Sequence, residues 1–458
     1  MRQHLSPPEG PLSSSPGPML PSVRRSSCST HTWIVVVEST AAEESILRVL
    51  IINSDSPKNR GDRAILAGLI EVVRRRWPGA DIHALSQFPE RDSEWFGITF
   101  LPQSPYSASP IDYVRLLWHA RRADAILWGG GEILKDYTNR LGLVYWALKL
   151  TGLSWLRVPI YGAYQGIGPT AAASSRALIR YTVNLTRSFV VRDQESKQKL
   201  ESWGARVPIT ASFDPAVLAP VAAWDEALKQ RVSHELEVEP VFFDDVVGIG
   251  VRRWFHYRRG GWLPFAMRNS NAETDEFVTY RDNLVRLVDR LTASTSSNIL
   301  FIPMHMAPAE GDDALAHDVI SRLQHPDRAR VLDQDVFSPS ELSAVIGACR
   351  CFVASRLHSA ILAATARVPA LVLYYVDKGR LFFEQLGLVR LSRPIELMLE
   401  PEGVDEVSEI VDMLSAEETE LRATIDDRVK AMAESIYADA AGAWVEPAPS
   451  TRSSRAAH

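Results

Sequence analysis

Cysteine is scarce. Cys28, Cys349 and Cys351 are all that 458 residues contain, too few for a disulfide framework. The Cys-x-Cys pair has no companion cluster at metal-ligand spacing, so Cys349 and Cys351 read as small buried hydrophobes suited to a reducing cytoplasm. No apolar run approaches the roughly 20 residues needed to span a bilayer. Positive charge is not in excess either. Fifty Lys and Arg against 56 Asp and Glu give a formal charge of −6, which argues against nucleic acid as a partner. Any anion site must therefore be built locally from a few placed cations. The chain also lacks a P-loop, a G-x-G-x-x-G fingerprint and a short-period repeat. Residues 1–45, rich in Pro and Ser at their start, lack the apolar segment of a signal peptide and read as a disordered tail, as do residues 446–458.

What is present is alternation. "LRVLIINS" reads as a strand, and the next helix carries Ile65, Leu66, Leu69, Ile70 and Val73 at helical spacing. "DIHALSQ", "DAILWGG", "VPIYGAYQGIGP" and "SFVVRD" continue the strands, each separated from the next by a helical pattern. After a polar connection near Ala222 to Pro240 a second set begins with "DVVGIGVRRW", "NILFIPMHM", "CFVASR" and "ALVLYY". One of its helices is opened by Ser338, with Glu341 at capping-box spacing. The expected fold is α/β, two Rossmann-like domains facing a cleft. The domains are placed at 46–222 and 241–415, followed by a helix over 416–442 that packs back across the hinge.

Ligands of such sheets bind beyond the carboxyl ends of strands, and polar residues gather at those turns. In "SRLHSAILAATARVPALVLYYVDK", Arg356 and His358 stand at a strand-to-helix turn and Lys378 follows the next strand. A helix N-terminus, a forked guanidinium, an imidazole and an ammonium together suit a small, highly charged anion. The plain alternative makes Arg356 an interface residue, His358 a satisfied core histidine and Lys378 a solvated cation. Arg252, Arg253 and His305 end two further strands of the second set, with Asp312 and Asp313 close behind. In the first set, "NRGDRAIL" brings Asn59, Gly61 and Asp62 together, with Asp62 by itself commonly just a helix cap. "WGGGEILKD" puts Gly130 where backbone can approach a ligand closely. Arg192 in "VVRDQES" passes another strand end, as part of a site or in an inward salt pair.

Taken in order, "NRGDRAIL", "WGGGEILKD", "GIGP", "VVRDQES", "GARVPITASFDPA", "VGIGVRRW", "FIPMHM", "GDD", "SRLHSAILAATARVPALVLYYVDK" and "EQLGL" resemble the polysaccharide pyruvyl transferase family. That resemblance implies a glycosyltransferase-B-like architecture and transfer of a pyruvyl group from phosphoenolpyruvate to two hydroxyls of a saccharide, forming a ketal. By position it makes Arg356, His358 and Lys378 the donor-site cations, with Arg252 beside them, and puts Asn59 and Asp62 on the acceptor side. His358 and Asp62 are the expected acid and base, in either order. Phosphoenolpyruvate is a donor substrate, so no cofactor or metal is expected. The acceptor, lipid-linked or free, would set whether the protein works at the inner face of a membrane. The segment "RRWFHYRRGGWLPFAMRNS" departs from the family pattern and reads as a lid or a saccharide platform. The same fold also hosts nucleotide-sugar glycosyltransferases, and a non-catalytic assembly protein could keep the cleft without turnover.

Overall fold

The computed structural model describes residues 46–53, 58–136, 140–255, 273–308 and 310–445. Both tails therefore lie outside the described residues, as does the family-departing segment beyond Phe255. Seven strands form the first sheet: β1 (Arg48–Ile52), β2 (Asp81–Ser86), β3 (Thr99–Pro102), β4 (Ala125–Gly129), β5 (Ile160–Gln165), β6 (Ser188–Val191) and β7 (Ile209–Ala211). Their spatial order is β3-β2-β1-β4-β5-β6-β7. Six more, β8 (Val246–Gly250), β9 (Asn298–Phe301), β10 (Ala329–Val331), β11 (Cys351–Ala354), β12 (Ala370–Tyr374) and β13 (Ser392–Pro394), form the second, ordered β10-β9-β8-β11-β12-β13. All pairings within both sheets are parallel, with Ile52 opposite Trp128 and Ala354 opposite Gly250.

Parallel strands need crossovers, and helices supply them. In the first half these are α1 (Arg60–Arg76), α2 (Pro89–Phe96), α3 (Pro110–Ala120), α4 (Arg140–Ser154), α5 (Ala173–Val183) and α6 (Gln194–Ser202). In the second they are α7 (Glu226–Glu235), α8 (Asp275–Ser294), α9 (Asp312–Ile320), α10 (Pro339–Gly347), α11 (Leu357–Thr365), α12 (Lys378–Gln385) and α13 (Pro401–Ala416), with α14 (Glu418–Ala443) last. The sequence dictates this layering locally. β4 is buried at every position, as a strand covered on both faces must be, and α1 turns an apolar stripe inward while Arg74, Arg75 and Arg76 close its last turn. The capping box is present at α10: Ser338 N–H donates to Glu341 (2.8 Å) and Glu341 N–H to the Ser338 hydroxyl (3.3 Å). Cys349 and Cys351 are free thiols buried in the core, and burial pushes both up, Cys351 to about 11.

Some elements lie beyond the sequence reading. α2 and β3 occupy ground that carries no clear periodicity, because an eight-residue helix and a four-residue edge strand are too short to show one. The polar connection contains α7, which buries Leu228, Val232 and Leu236. The carboxyl-terminal helix α14 lies against the first sheet. Tyr164 Oη donates to Ile436 O (2.8 Å), Ser188 Oγ to Ala443 O (2.6 Å), and Trp444 stacks on Trp77 with ring centroids 5.9 Å apart.

Strand order reverses between β1 and β4 in the first sheet and between β8 and β11 in the second. At such switch points neighbouring loops leave in opposite directions and open a crevice. Asn53 and Gly130 flank the first crevice; Arg252 and Ser355–Arg356 flank the second.

Candidate active site

The start of α1 is pinned to the second domain. Asn59 and His305 form an antiparallel backbone bridge, Arg60 N–H donates to Met304 O (2.9 Å) and Met306 N–H to Lys58 O (3.0 Å). The Arg60 side chain is buried and donates to the carbonyls of Pro303 (3.0 Å), Leu332 (2.6 Å) and Gln334 (2.9 Å). Burial brings its guanidinium down to about 10, against the pull of Asp335, Asp333 and Asp313. Asn59, not Asp62, is the cap of α1: its Oδ1 accepts from Gly61 N–H at 3.0 Å and Asp62 N–H at 3.4 Å. Asp62 is half-buried in the first helical turn.

Gly61 lies against His358. A Cβ built on Gly61 would sit 2.3 Å from His358 Nδ1, so only glycine lets the helix start reach the imidazole. The other ring nitrogen, Nε2, is 3.6 Å from Asp214 Oδ2, an ion-pair distance beyond normal hydrogen-bond length. Burial lowers the His358 pKa; Asp214 opposes this, while Arg192 and Lys378 add to it.

Around His358 runs a chain of ion pairs. Arg192, buried, bridges Asp214 (3.0 Å) and Glu132 (3.2 Å), and Lys378 Nζ is 3.7 Å from Glu132. Gly166 passes so close to the Arg192 guanidinium that a Cβ there would lie 2.6 Å from Nε. Burial alone would raise Glu132, but Lys378, Lys135, Arg192 and Lys199 outweigh it and hold the carboxyl at about 2. Asp214 is held at about 2 in the same way, burial being offset by His358 and Arg192 and by the Ala216 N–H.

A second cluster stands at the β8/β11 crevice. Arg356 grips Asp312 with two nitrogens (2.8 and 2.6 Å) and reaches Glu310 at 2.9 Å; Arg252 lies 3.6 Å from the same Glu310. Arg252 also donates to Tyr375 Oη at 3.0 Å and covers that ring at 3.8 Å, with the Trp254 ring tilted against Tyr375 at a centroid distance of 4.6 Å. His305 is beside them. Burial, then Arg356 and Arg252, bring it down to about 4 despite Glu310 and Asp312, so it is neutral at physiological pH.

Tyr375 joins the two clusters. Its ring lies 5.6 Å from Lys378 Nζ and its hydroxyl holds Arg252. Burial pushes the phenol up, but Arg252, Lys378 and Arg356 outweigh it and hold it at about 8.

The structure thus brings Arg192, Arg252, His305, Arg356, His358 and Lys378 to one mouth, where the cations are already compensated. Every one of the arginines and the lysine already faces a carboxylate, because an uncompensated buried charge costs several kcal/mol. Gly130 has a packing duty: at φ +88°, a Cβ would lie 2.8 Å from Ile65 Cγ2 of α1. The sequence reading missed Glu132, Asp214, Glu310, Tyr375 and Asn53 as site residues. All but Glu310 lie within three residues of a strand end, which is the signal that was there to use; Glu310 lies just ahead of α9. Asn53 is buried beside Gly130, with neither side-chain amide atom hydrogen-bonded among the described residues. Among the described residues no group of three or more His, Cys, Asp or Glu is placed to hold a metal ion. No helix among them is long and apolar enough to cross a membrane.

Residues 59–377 match the family described as polysaccharide pyruvyl transferase. The chain is 20% identical to the amylovoran biosynthesis protein AmsJ of Erwinia amylovora over 401 residues, 80% of this chain and 92% of that protein. Among solved structures it superposes on the UDP-GlcNAc 2-epimerase from Methanocaldococcus jannaschii with a TM-score of 0.52 at 12% identity, over 79% of this chain and 92% of that one. The S. aureus MnaA–UDP co-structure gives 0.51 at 11%, over 86% and 92%. These likenesses concern the fold, two parallel-sheet α/β domains of glycosyltransferase-B-like type.

Proposed function

Because this chain belongs to the polysaccharide pyruvyl transferase family, a family of transferases, we propose that its cleft moves a pyruvyl group from phosphoenolpyruvate onto two hydroxyls of a saccharide during exopolysaccharide synthesis. The observation that carries this reading is the convergence of Arg252, Arg356, Lys378 and His358 around Tyr375 and Glu132. Phosphoenolpyruvate carries a carboxylate and a phosphate a few bonds apart, and two cation clusters meeting at one residue suit two anionic groups. Charge-assisted hydrogen bonds of about 1.5–3 kcal/mol each would hold it against water.

In this reading the donor's charge draws Arg252 and Lys378 partly away from their carboxylates. It also neutralises the two cations that depress His358, so the imidazole gains a proton as the donor binds. His358 then protonates the methylene carbon of the enol. One saccharide hydroxyl attacks the former enol carbon and gives its proton to Asp62, forming the first C–O bond. The second hydroxyl attacks the same carbon and gives its proton to the now neutral His358, the bond to phosphate oxygen breaks, and phosphate leaves toward the arginines as the ketal closes. The Asn53 amide at the β1/β4 crevice, unpartnered among the described residues, is the acceptor-side group that a sugar hydroxyl would satisfy.

The test is phosphate release from phosphoenolpyruvate with a panel of saccharide acceptors, alongside thermal shift with phosphoenolpyruvate and with nucleotide-sugars. His358→Ala should abolish release while the protein still melts cooperatively. Near-normal release by that variant would remove His358 from the chemistry. Stabilisation by a nucleotide-sugar alone would replace pyruvyl transfer with glycosyl transfer.

A further inference from the structure

On the face of the first sheet opposite α1, the helices α3, α4 and α5 pack side by side. Gly152 of α4 lies so close to Tyr113 of α3 that a Cβ would sit 1.6 Å from its hydroxyl, and Thr151 of α4 bonds the Tyr181 hydroxyl of α5 at 2.9 Å. Their inner faces cover a separate apolar core that includes Leu116, Leu150 and Ile179. The exposed faces of α3 and α4 carry large apolar side chains as well. α3 presents Ile111, Val114 and Trp118 at i, i+3 and i+7, and α4 presents Val144 and Leu148, with Trp155 just beyond its end. Leu148 is 67% exposed and Trp155 79%. A helix apolar on every side is ordinarily buried, and a continuous apolar face of this kind marks an interaction surface.

The charges around it are mostly positive. Outside the core, α3, α4 and α5 carry Arg115, Arg140, Arg176 and Arg180 against one acid, Asp112, which pairs with Arg115 at 3.6 Å, on a chain whose formal charge is −6. Arg122 lies over the Trp118 ring at 3.3 Å, and exposed Arg157 follows Trp155 by two residues. Apolar side chains with tryptophans at the edge and an arginine rim match the depth profile of a lipid interface. The apolar groups enter the acyl boundary, the indoles sit at headgroup level and the guanidinium groups meet lipid phosphate. A second copy of the chain is a poorer occupant, since a two-fold pairing would bring the arginine rim against itself.

We propose that the α3–α4 face, with Tyr181 of α5 at its margin, docks on an anionic membrane surface. The surface is separate from the cation-lined mouth, and the inference does not depend on the reaction assigned there. The probe is the full chain pelleted with vesicles of phosphatidylcholine, with and without phosphatidylglycerol, at low and high salt. The expected result is pelleting with the anionic vesicles, weakened by salt and reduced about tenfold by Trp118→Ser with Trp155→Ser. Arg115→Glu with Arg122→Glu should give a similar loss through charge alone, which keeps the test decisive if the tryptophan variant folds poorly. Both pairs lie away from the mouth, so phosphate release on a water-soluble acceptor should be unchanged. Absence of pelleting with anionic vesicles overturns the proposal, as does pelleting that neither variant weakens. Concentration-dependent self-association that the tryptophan variant abolishes would also overturn it, in favour of a second copy.

Discussion

Substituting Gly61 by alanine separates the position of His358 from the stability of the fold. Gly61 is in the first turn of α1 and is not among the glycines at positive φ, so alanine fits its backbone and should favour the helix by about 1 kcal/mol. The added methyl would lie 2.3 Å from His358 Nδ1 and 2.7 Å from Cγ. Ordinary contact is about 3.5 Å or more, so the ring must retreat by roughly 1.2 Å. Overpacking of this kind costs about 1–3 kcal/mol, which leaves a net loss of about 0–2 kcal/mol and a melting midpoint lower by a few degrees. The rate should respond far more strongly, since a displacement of about 1 Å at a reacting group can cost on the order of 100-fold. The assay is phosphate release under saturating donor, with thermal unfolding of the same preparation. Full turnover in a protein that melts normally would refute the reasoning, because a displaced imidazole would then have cost nothing. Low turnover with a midpoint lowered by tens of degrees would refute it too, by making the loss one of folding.

Tyr375→Phe keeps the ring that Arg252 covers and removes a phenol that ionises near pH 8. In the parent, phenolate forming above about pH 8 should repel an anionic donor and lower kcat/KM; the variant should lose that alkaline limb, and a limb that persists would assign it elsewhere. Glu132→Gln tests the ion-pair chain. The folded-state pKa of about 2 is below the usual 4.5, so this stability is present above pH 4.5 and lost as pH falls through about 2. The shift of about 2.5 units (4.5 − 2) corresponds to on the order of 3 kcal/mol. The gap between parent and variant in denaturant titrations should therefore shrink toward zero between pH 4.5 and 2, and a gap constant with pH would contradict the linkage. Arg60→Ala leaves the carbonyls of Pro303, Leu332 and Gln334 without their buried donor and should lower stability by about 3 kcal/mol or more, read as a lower urea midpoint.

The sequence by itself determined the layered α/β class, the two parallel sheets and the strand-end positions of Arg252, His305, Arg356, His358 and Lys378. All of these are local matters. A strand buried on both faces must be continuously apolar, as in "AILWG", and a polar residue directly after such a strand must emerge at the sheet edge where ligands bind. Tertiary structure alone decided which of those residues meet. Glu132 pairs with Lys378 across 246 positions of the chain (378 − 132), and Gly61 touches His358 only because Arg60 anchors α1 to three carbonyls of the other domain. The exposure of α4 was equally illegible, since an apolar helix reads the same whether covered by protein or left bare. Periodicity records which face a residue points to, whereas the partner on that face is set by how two sheets pack.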